Sequence, residues 1–400
     1  DMPSTGYYQY NMRTVVHSAW GGIIRIPALL EGLGARRVLL ISDAGLKSVG
    51  IVDRVAATFG TLNSGTMPSL AGIYTDIEPD AGSESINKCT HYAREVAADA
   101  ILAVGGGSVL DASKAVKYAL YHQILDIGDA LNAGLKLEAW PKAQHMGIPH
   151  LTVPTTAGTG AEGSNGAVIH NDNTGVKGGI VAPFLDADMC VLDAQLTVGL
   201  PAGLTAATGM DAMTHALEGL ASPVANLFSD AHCMTSAQAI ERYLPRAVAD
   251  GQDREARGQM LDAACMAVNG YLAAFNATPV HNFAHAFGAM YHIPHGDANA
   301  ALLPIVMESL ADFYAPNAER LAQALNMPPN GNTGVALVHE VVARLRELQQ
   351  QIGCATNFKR WNVSAQDMEQ IVVGVATDPV AVMYPLGPEK IQEIALKVIG

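Results

Sequence analysis

Four short, uninterrupted apolar runs mark the first half of the chain. They are Val38-Leu39-Leu40-Ile41-Ser42, Ile101-Leu102-Ala103-Val104, His150-Leu151-Thr152-Val153 and Met189-Cys190-Val191-Leu192. Continuous rather than alternating apolar runs suit strands buried on both faces, as in a parallel sheet. Helical patterns lie between them, over Ser85 to Ala98 and Asp111 to Tyr121. A βαβ alternation of this kind reads as a doubly wound α/β layer. A hairpin is expected between Val168 and Val181, because Asn171-Asp172-Asn173-Thr174-Gly175 supplies turn chemistry. After about Thr197 the strand-like runs stop. Val335 to Ile352 places Val338, Val341, Val342, Leu345 and Leu348 on one helical face. Ser229 to Tyr243, Arg254 to Phe275 and Val306 to Leu325 read similarly, and Asn326 to Asn332 is a loop. The expected organisation is an α/β domain over residues 1–196 and an all-helical domain over 197–400, with no fixed-period repeat.

Composition narrows the partners. The chain has 400 residues, 49% of them hydrophobic and 16% charged, which is too apolar and too weakly charged for a disordered polypeptide. Lys and Arg number 24 against 38 Asp and Glu, a net charge of −14. An acidic surface without clustered Lys and Arg argues against nucleic acid or an anionic membrane as partner. Cys89, Cys190, Cys233, Cys265 and Cys354 are odd in number, far apart and never CxxC, so reduced, packed thiols are expected. No apolar run is long enough to span a bilayer, and Asp1-Met2-Pro3-Ser4 shows no basic segment leading into an apolar one. A cytoplasmic location is therefore expected.

Two turns carry candidate chemistry. Val104-Gly105-Gly106-Gly107-Ser108-Val109-Leu110-Asp111 follows a strand and opens a helix. Glycines let the backbone approach an anion, and free N–H groups at the helix start hold a phosphate without a cationic side chain. The run is not GxGxxG, because its sixth position is Leu110, so a plain strand-to-helix turn stands as the alternative. Val153-Pro154-Thr155-Thr156-Ala157-Gly158-Thr159-Gly160 ends another strand with small hydroxyls and glycines suited to phosphate or ribose. Asp43, at the end of the early strand, is placed to accept from a ribose hydroxyl and to repel a 2′-phosphate, which favours NAD over NADP. A simple helix N-cap is the alternative for Asp43.

Most of the 13 histidines are scattered, but a few in the second half are not. Asp211 and His215 stand at i, i+4, on one helical face. His281 and His285 form a second i, i+4 pair, followed by Pro294-His295-Gly296. Paired ligands on one helix, with more from another segment, commonly build a mononuclear metal site. One carboxylate with imidazoles suits Fe(II) or Zn(II) better than Mg(II) or Ca(II). Spacing alone leaves His292 open as a further ligand, and leaves each pair open as an ordinary helix contact.

At these residues the chain resembles the iron-containing (group III) alcohol dehydrogenase family. Gly105 to Lys114 is similar to the family's GGGSxxDxxK turn, and Pro154 to Glu162 to its PTTAGTGSE loop. Leu204 to Glu218 is similar to its first metal segment, and His281 to Gly288 with Pro294-His295-Gly296 to its second. The resemblance runs in order from about residue 10 to the C-terminus. It implies an N-terminal α/β domain with a mostly parallel dinucleotide-binding sheet and an all-α C-terminal domain, the architecture shared with dehydroquinate synthase. It implies Asp211, His215, His281 and His295 as metal ligands, with His285 beside the metal near substrate. It assigns Gly105, Gly106, Gly107 and Ser108 to the pyrophosphate turn, with Asp111 in the same cofactor motif. Thr155, Thr156, Thr159 and Lys177 match positions that line the cofactor, and Asp43 matches a site read as NAD-selective. The chain departs from the family pattern at Ala161, Asn282, Ala194 and Met383-Tyr384-Pro385. None of these is a proposed ligand, so they bear on substrate rather than on chemistry.

The resemblance implies reversible oxidation of an alcohol, expected to be primary, to its aldehyde by hydride transfer to NAD. The metal ion, Fe(II) or alternatively Zn(II), would act as a Lewis acid on the substrate oxygen. His285 would pass the released proton toward solvent. A homodimer or larger homo-oligomer is expected. A polyol, glycerol-type or hydroxy-acid dehydrogenase of the same superfamily is the alternative. A dehydroquinate synthase-like lyase is less favoured, because Arg242, Arg246, Arg254 and Arg257 are the only basic residues between Asp211 and His295 and none neighbours a proposed ligand. A catalytically idle scaffold is disfavoured by the intact ligand-type residues and both turns.

Overall fold

The computed structural model describes residues 8–60, 65–131, 134–138 and 144–400, so the Asp1-Met2-Pro3-Ser4 segment lies outside the described residues. The chain forms two units. One is Met12–Thr156 with Gly160–Val198; the other is Gly199–Gly400 with Ala157–Thr159 and the described residues up to Asn11.

The first unit is built on strands β1 (Val15–Ser18), β2 (Arg37–Ile41), β3 (Ser69–Tyr74), β4 (Ala100–Gly105), β5 (Leu135–Leu137), β6 (His150–Pro154), β7 (Gly166–Asn171), β8 (Val176–Val181) and β9 (Met189–Leu192). Six of them form one parallel sheet in the order β1-β9-β6-β4-β2-β3. Strands β4 and β6 are buried at every position, which is why they read as continuous apolar runs. The four strands expected from such runs are all present. Strands β1 and β3 sit at the sheet edges and are half exposed, so their patterns were too weak to mark them. Strands β7 and β8 form the expected antiparallel hairpin, joined at Asn171↔Val176, with β5 parallel to β8.

Three helices of this unit matter for the site. Helix α1 (Ala44–Ser48) follows β2, α2 (Ser83–Glu95) follows β3, and α3 (Gly107–His122) follows β4. Two apolar clusters cover the sheet, one around Leu39, Ile101, Val116 and Tyr118 and the other around Val38, Leu102, Leu151 and Val191.

The second unit is helical, with α4 (Ala202–Ala221), α5 (Leu227–Ala249), α6 (Arg254–Ala273), α7 (Pro279–Tyr291), α8 (His295–Ser309), α9 (Ala318–Ala324), α10 (Gly334–Ile352), α11 (Met368–Thr377) and α12 (Pro388–Ile399). From Met210 to Ala221 every residue of α4 is buried, so this helix is the axis of the unit. Small residues let its neighbours press close: a Cβ on Gly209 would lie 2.4 Å from Leu244 Cδ1, and one on Gly219 would lie 2.5 Å from Cys233 Sγ. Helix α5 starts earlier than the apolar pattern suggests, because Asn226 and Ser229 form a reciprocal capping box. The expected helix from Val306 to Leu325 is instead broken. Helix α8 ends at Ser309, short turns follow, and α9 resumes at Ala318. Pro316 lies in the interruption, where it withholds an N–H from any continuing helix. Among the described residues no two of the five cysteines are joined in a disulfide, and no helix is long and apolar enough to cross a membrane.

Candidate active site

Three segments of the helical unit converge on one point. Helix α4 supplies Asp211, His215 and Glu218 from one buried face, since positions i, i+4 and i+7 align. Helix α7 supplies His281 and His285, and His295 is the first residue of α8. The start of α8 is pressed against α4: a Cβ on Gly296 would lie 2.6 Å from the Ala207 carbonyl oxygen. Only glycine lets the His295 turn come so near.

Asp211, His281 and His295 each offer one ligand atom, and these atoms lie within 4.8 Å of one another. Asp211 Oδ1 is 3.3 Å from His295 Nε2, 3.8 Å from His281 Nε2 and 3.9 Å from His215 Nε2. His215 stands at the flank of this group and stacks on His281, with ring centroids 4.7 Å apart. Its Nδ1 is buried with no hydrogen-bond partner among the described residues. One anionic oxygen facing imidazole lone pairs is the donor chemistry of a divalent transition-metal or zinc site. Asp211, His281 and His295 therefore fit such an ion, while His215, the fourth ligand-type residue, stands beside this group and outside it.

The electrostatics agree. Burial pushes the Asp211 carboxyl up, but the imidazoles of His295, His215 and His281 outweigh it and hold the group well below the usual carboxylate range. Burial, with His215 and His295 adding to it, pushes His281 well below its ordinary value. Burial also lowers His215. Neutral imidazoles are what a metal requires of its ligands.

A second layer fixes these side chains. Glu218 Oε1 lies 2.6 Å from His281 Nδ1 and accepts from the His281 backbone N–H at 3.1 Å, while Oε2 accepts from Val280 N–H at 3.1 Å. The carboxylate thus caps the start of α7 and turns His281 Nε2 inward. Burial pushes Glu218 up to about 8, against the pull of those backbone N–H groups. The Tyr271 ring lies 4.9 Å from His215 and 5.0 Å from His281, centroid to centroid. His285 is not in the ligand group. Its Nδ1 lies 3.3 Å from Asp378 Oδ2, and its ring is 5.9 Å from that of His295. His292, left open by spacing, ends α7 in a left-handed conformation, is exposed and stands outside the group.

In the α/β unit, neighbouring strands gather the candidate cofactor residues. Ile41 of β2 pairs with Ala103 of β4, and Gly105 of β4 pairs with Pro154 of β6. Asp43, the Gly105-Gly106-Gly107 turn and Thr155-Thr156 therefore share the carboxyl edge of three adjacent strands. The chain reverses its direction of sheet growth here, β3 lying on one side of β2 and β4 on the other, which is where open α/β sheets bind ligands. Gly106 caps α3 and Gly107 is its first residue. A Cβ on Gly105 would lie 2.6 Å from Val109 Cβ, so the turn requires glycine there. Thr155 N–H donates to the Gly105 carbonyl at 3.0 Å.

Several side chains have protein partners. Asp43 caps α1, its Oδ1 accepting from Leu46 N–H at 2.8 Å. Ser108 Oγ accepts from Asp80 N–H at 3.0 Å, and Lys177 Nζ pairs with Asp80 Oδ1 at 3.0 Å. Asp111 accepts from Val168 N–H at 3.1 Å and lies 3.3 Å from Lys114 Nζ, so it ties α3 to the hairpin. Thr159 belongs to the helical unit, whereas Thr155 and Thr156 belong to the α/β unit. Of the departures, Ala161 packs with Ala103 and Leu110, and Asn282 is buried beside His281. Glu218, Tyr271, Asn299 and Asp378 were not singled out from sequence. The spacing Asp211-x6-Glu218 on a helix already carried a signal for the first.

Two family descriptions match the chain. Residues 14–194 match "Iron-containing alcohol dehydrogenase" and residues 205–396 match "Fe-containing alcohol dehydrogenase family, C-terminal". Long-chain-alcohol dehydrogenase 1 of Geobacillus thermodenitrificans (strain NG80-2) is 36% identical over 89% of this chain and 87% of its own length. NAD-dependent methanol dehydrogenase of Bacillus methanolicus is 27% identical, covering 90% of each. The solved alcohol dehydrogenase from Oenococcus oeni superposes with a TM-score of 0.88 at 27% identity, covering 98% of this chain and 100% of that one. With both units matched along their length, the chain is an oxidoreductase belonging to the iron-containing alcohol dehydrogenase family.

Proposed function

We propose that the chain interconverts a primary alcohol and its aldehyde with NAD, using a divalent ion held by Asp211, His215, His281 and His295. The observation that carries this reading is the convergence of Asp211, His281 and His295 on one point, with Glu218 orienting His281 from behind. When bound, the ion supplies Lewis acidity toward the substrate oxygen and NAD supplies the hydride acceptor. Fe(II) is favoured over Zn(II) by the family, while the Asp-His-His-His set accepts either.

The remaining work falls to side chains. Asp211 contributes the single negative charge of the set, so the site keeps net positive charge for an oxyanion. Burial of Asp211, His215 and His281 keeps bulk water from weakening that attraction. His285, part-buried and paired with Asp378, would take the alcohol proton and pass it on, and that pairing supports the role. The Gly105-Gly106-Gly107-Ser108 turn and Thr155 and Thr156 would hold the dinucleotide phosphates. Lys177, Asp111 and Asp43 would support its ribose end, Asp43 with one oxygen while the other caps α1.

The exposed edge strand β1, with Val15 and Val16 open to solvent, supports self-association into a homo-oligomer. Five cysteines with no disulfide among the described residues support a reducing, cytoplasmic setting. A polyol or hydroxy-acid substrate is the second reading, and the departure Asn282, buried and with its Oδ1 lacking a partner among the described residues, is the feature that favours it. The test is an NAD-linked rate assay on metal-stripped protein with Fe(II) or Zn(II) restored, run over primary alcohols, diols and hydroxy acids. Restored NADH formation from a simple primary alcohol supports the first reading. Turnover confined to diols or hydroxy acids supports the second.

A further inference from the structure

Asn299 lies one helical turn after His295, on the same face of α8, and is fully buried. Its Nδ2 is 2.9 Å from Asp211 Oδ1, 3.2 Å from His295 Nε2 and 3.5 Å from His281 Nε2. These contacts reach the same three residues that make up the candidate ligand group. Its Oδ1 is buried with no hydrogen-bond partner among the described residues. Buried amides normally find partners at both ends. This one directs its nitrogen end at the ligand set and leaves the other end unmatched.

The chemistry of the contact is specific. His281 Nδ1 faces Glu218, which leaves a lone pair on Nε2. An amide nitrogen carries two hydrogens and no charge. It therefore draws on the lone pairs a divalent ion would draw on, but more weakly. We propose that Asn299 is a positioning residue that gathers Asp211, His281 and His295 and, by competing for their lone pairs, sets how tightly the site takes an ion. This inference rests on the metal-site reading above. In the ion-loaded protein the amide keeps at most its bond to Asp211; with no ion its two hydrogens are shared among the three acceptors. Its bonds are thus worth more without the ion, and the amide opposes loading.

The test is equilibrium Zn(II) titration of the full-length, metal-stripped protein against a chromophoric chelator, with thermal midpoints of the stripped and Zn(II)-loaded forms. Asn299→Leu keeps the volume and removes both N–H donors. It should bind Zn(II) about threefold to tenfold more tightly, the equivalent of one or two lost competing hydrogen bonds. Its midpoint should fall further in the stripped form than in the loaded one. Unchanged or weaker Zn(II) binding, with equal midpoint losses in both forms, overturns the inference. If Asn299→Leu does not fold, Asn299→Ala carries the same expectation without steric demand. Wild-type protein that takes up no Zn(II) overturns the metal-site reading itself. Zn(II) uptake by the wild type with no change in the variants overturns only the role of Asn299.

Discussion

Glu218 Oε1 lies 2.6 Å from His281 Nδ1, and the same carboxylate accepts from the backbone N–H groups of Val280 and His281. One buried side chain thus fixes both the start of a helix and the ring orientation of its third residue. Partners of this kind set the tautomer and direction of a ligating histidine, and their loss costs about 10-fold to 100-fold in metal affinity. Glu218→Gln keeps the shape but leaves only one of the two terminal atoms able to accept. It should weaken Fe(II) or Zn(II) binding by about that factor. Equilibrium metal titration checks this.

His285 is paired with Asp378 and stands outside the ligand group. His285→Ala should leave metal content unchanged and lower kcat by about 100-fold, the scale of general acid–base assistance. Added imidazole should restore part of the rate. Asp378→Asn should show a smaller loss of the same kind. Metal analysis alongside steady-state kinetics separates this from damage to the ion site.

Asp43 caps α1 through Oδ1 and stands at the carboxyl edge of β2. Capping and cofactor choice can be separated by substitution. Asp43→Ser retains a capping oxygen and removes the charge, so stability should hold while the NADP to NAD ratio of kcat/KM rises about tenfold or more. Asp43→Ala should show the same shift in ratio and also lose about 1 kcal/mol of stability. Kinetics with both cofactors and thermal denaturation of both variants give the answer.

Lys117 gives a pH dependence that does not involve the active site. Burial pushes its ammonium down to about 7, Asp188 and Asp186 pulling it up and Arg13 and Lys114 pushing it down. Its Nζ donates to the Asp186 carbonyl, which also accepts from Arg13. Between pH 7 and the unfolded value of about 10.4 the unfolded chain holds more protons than the folded one. The contribution of Lys117 to stability therefore rises with pH across that window, and its full penalty applies below it. Lys117→Met should be more stable than the wild type at pH 6, with the difference shrinking toward pH 9.5. Thermal midpoints measured across that range test the sign.

Sequence made the sheet centre legible because β2, β4, β6 and β9 are covered on both faces and so read as unbroken apolar runs. Edge strands β1 and β3 were illegible because one side of each meets solvent. The break after Ser309 was missed because apolar periodicity continues across Pro316, whose missing N–H is a local fact. In the site, helical spacing exposed Asp211, His215, His281 and His285, and the family resemblance joined them to His295. Asp378 was invisible because it reaches His285 from 93 positions away. Asn299 sat in plain view, one turn beyond His295, but a buried amide has no sequence signature that separates it from ordinary packing.

The central claim is that Asp211, His281 and His295 hold the ion on which catalysis depends. The most direct test strips the metal from wild type and from Asp211→Asn, reloads both anaerobically with Fe(II), and reads iron content and NAD-linked alcohol oxidation on the same samples. The wild type should take up one iron per chain and recover its rate, and Asp211→Asn should do neither while keeping its fold and its binding of NAD. An Asp211→Asn protein that retains iron and turns over alcohol at the wild-type rate would contradict the assignment.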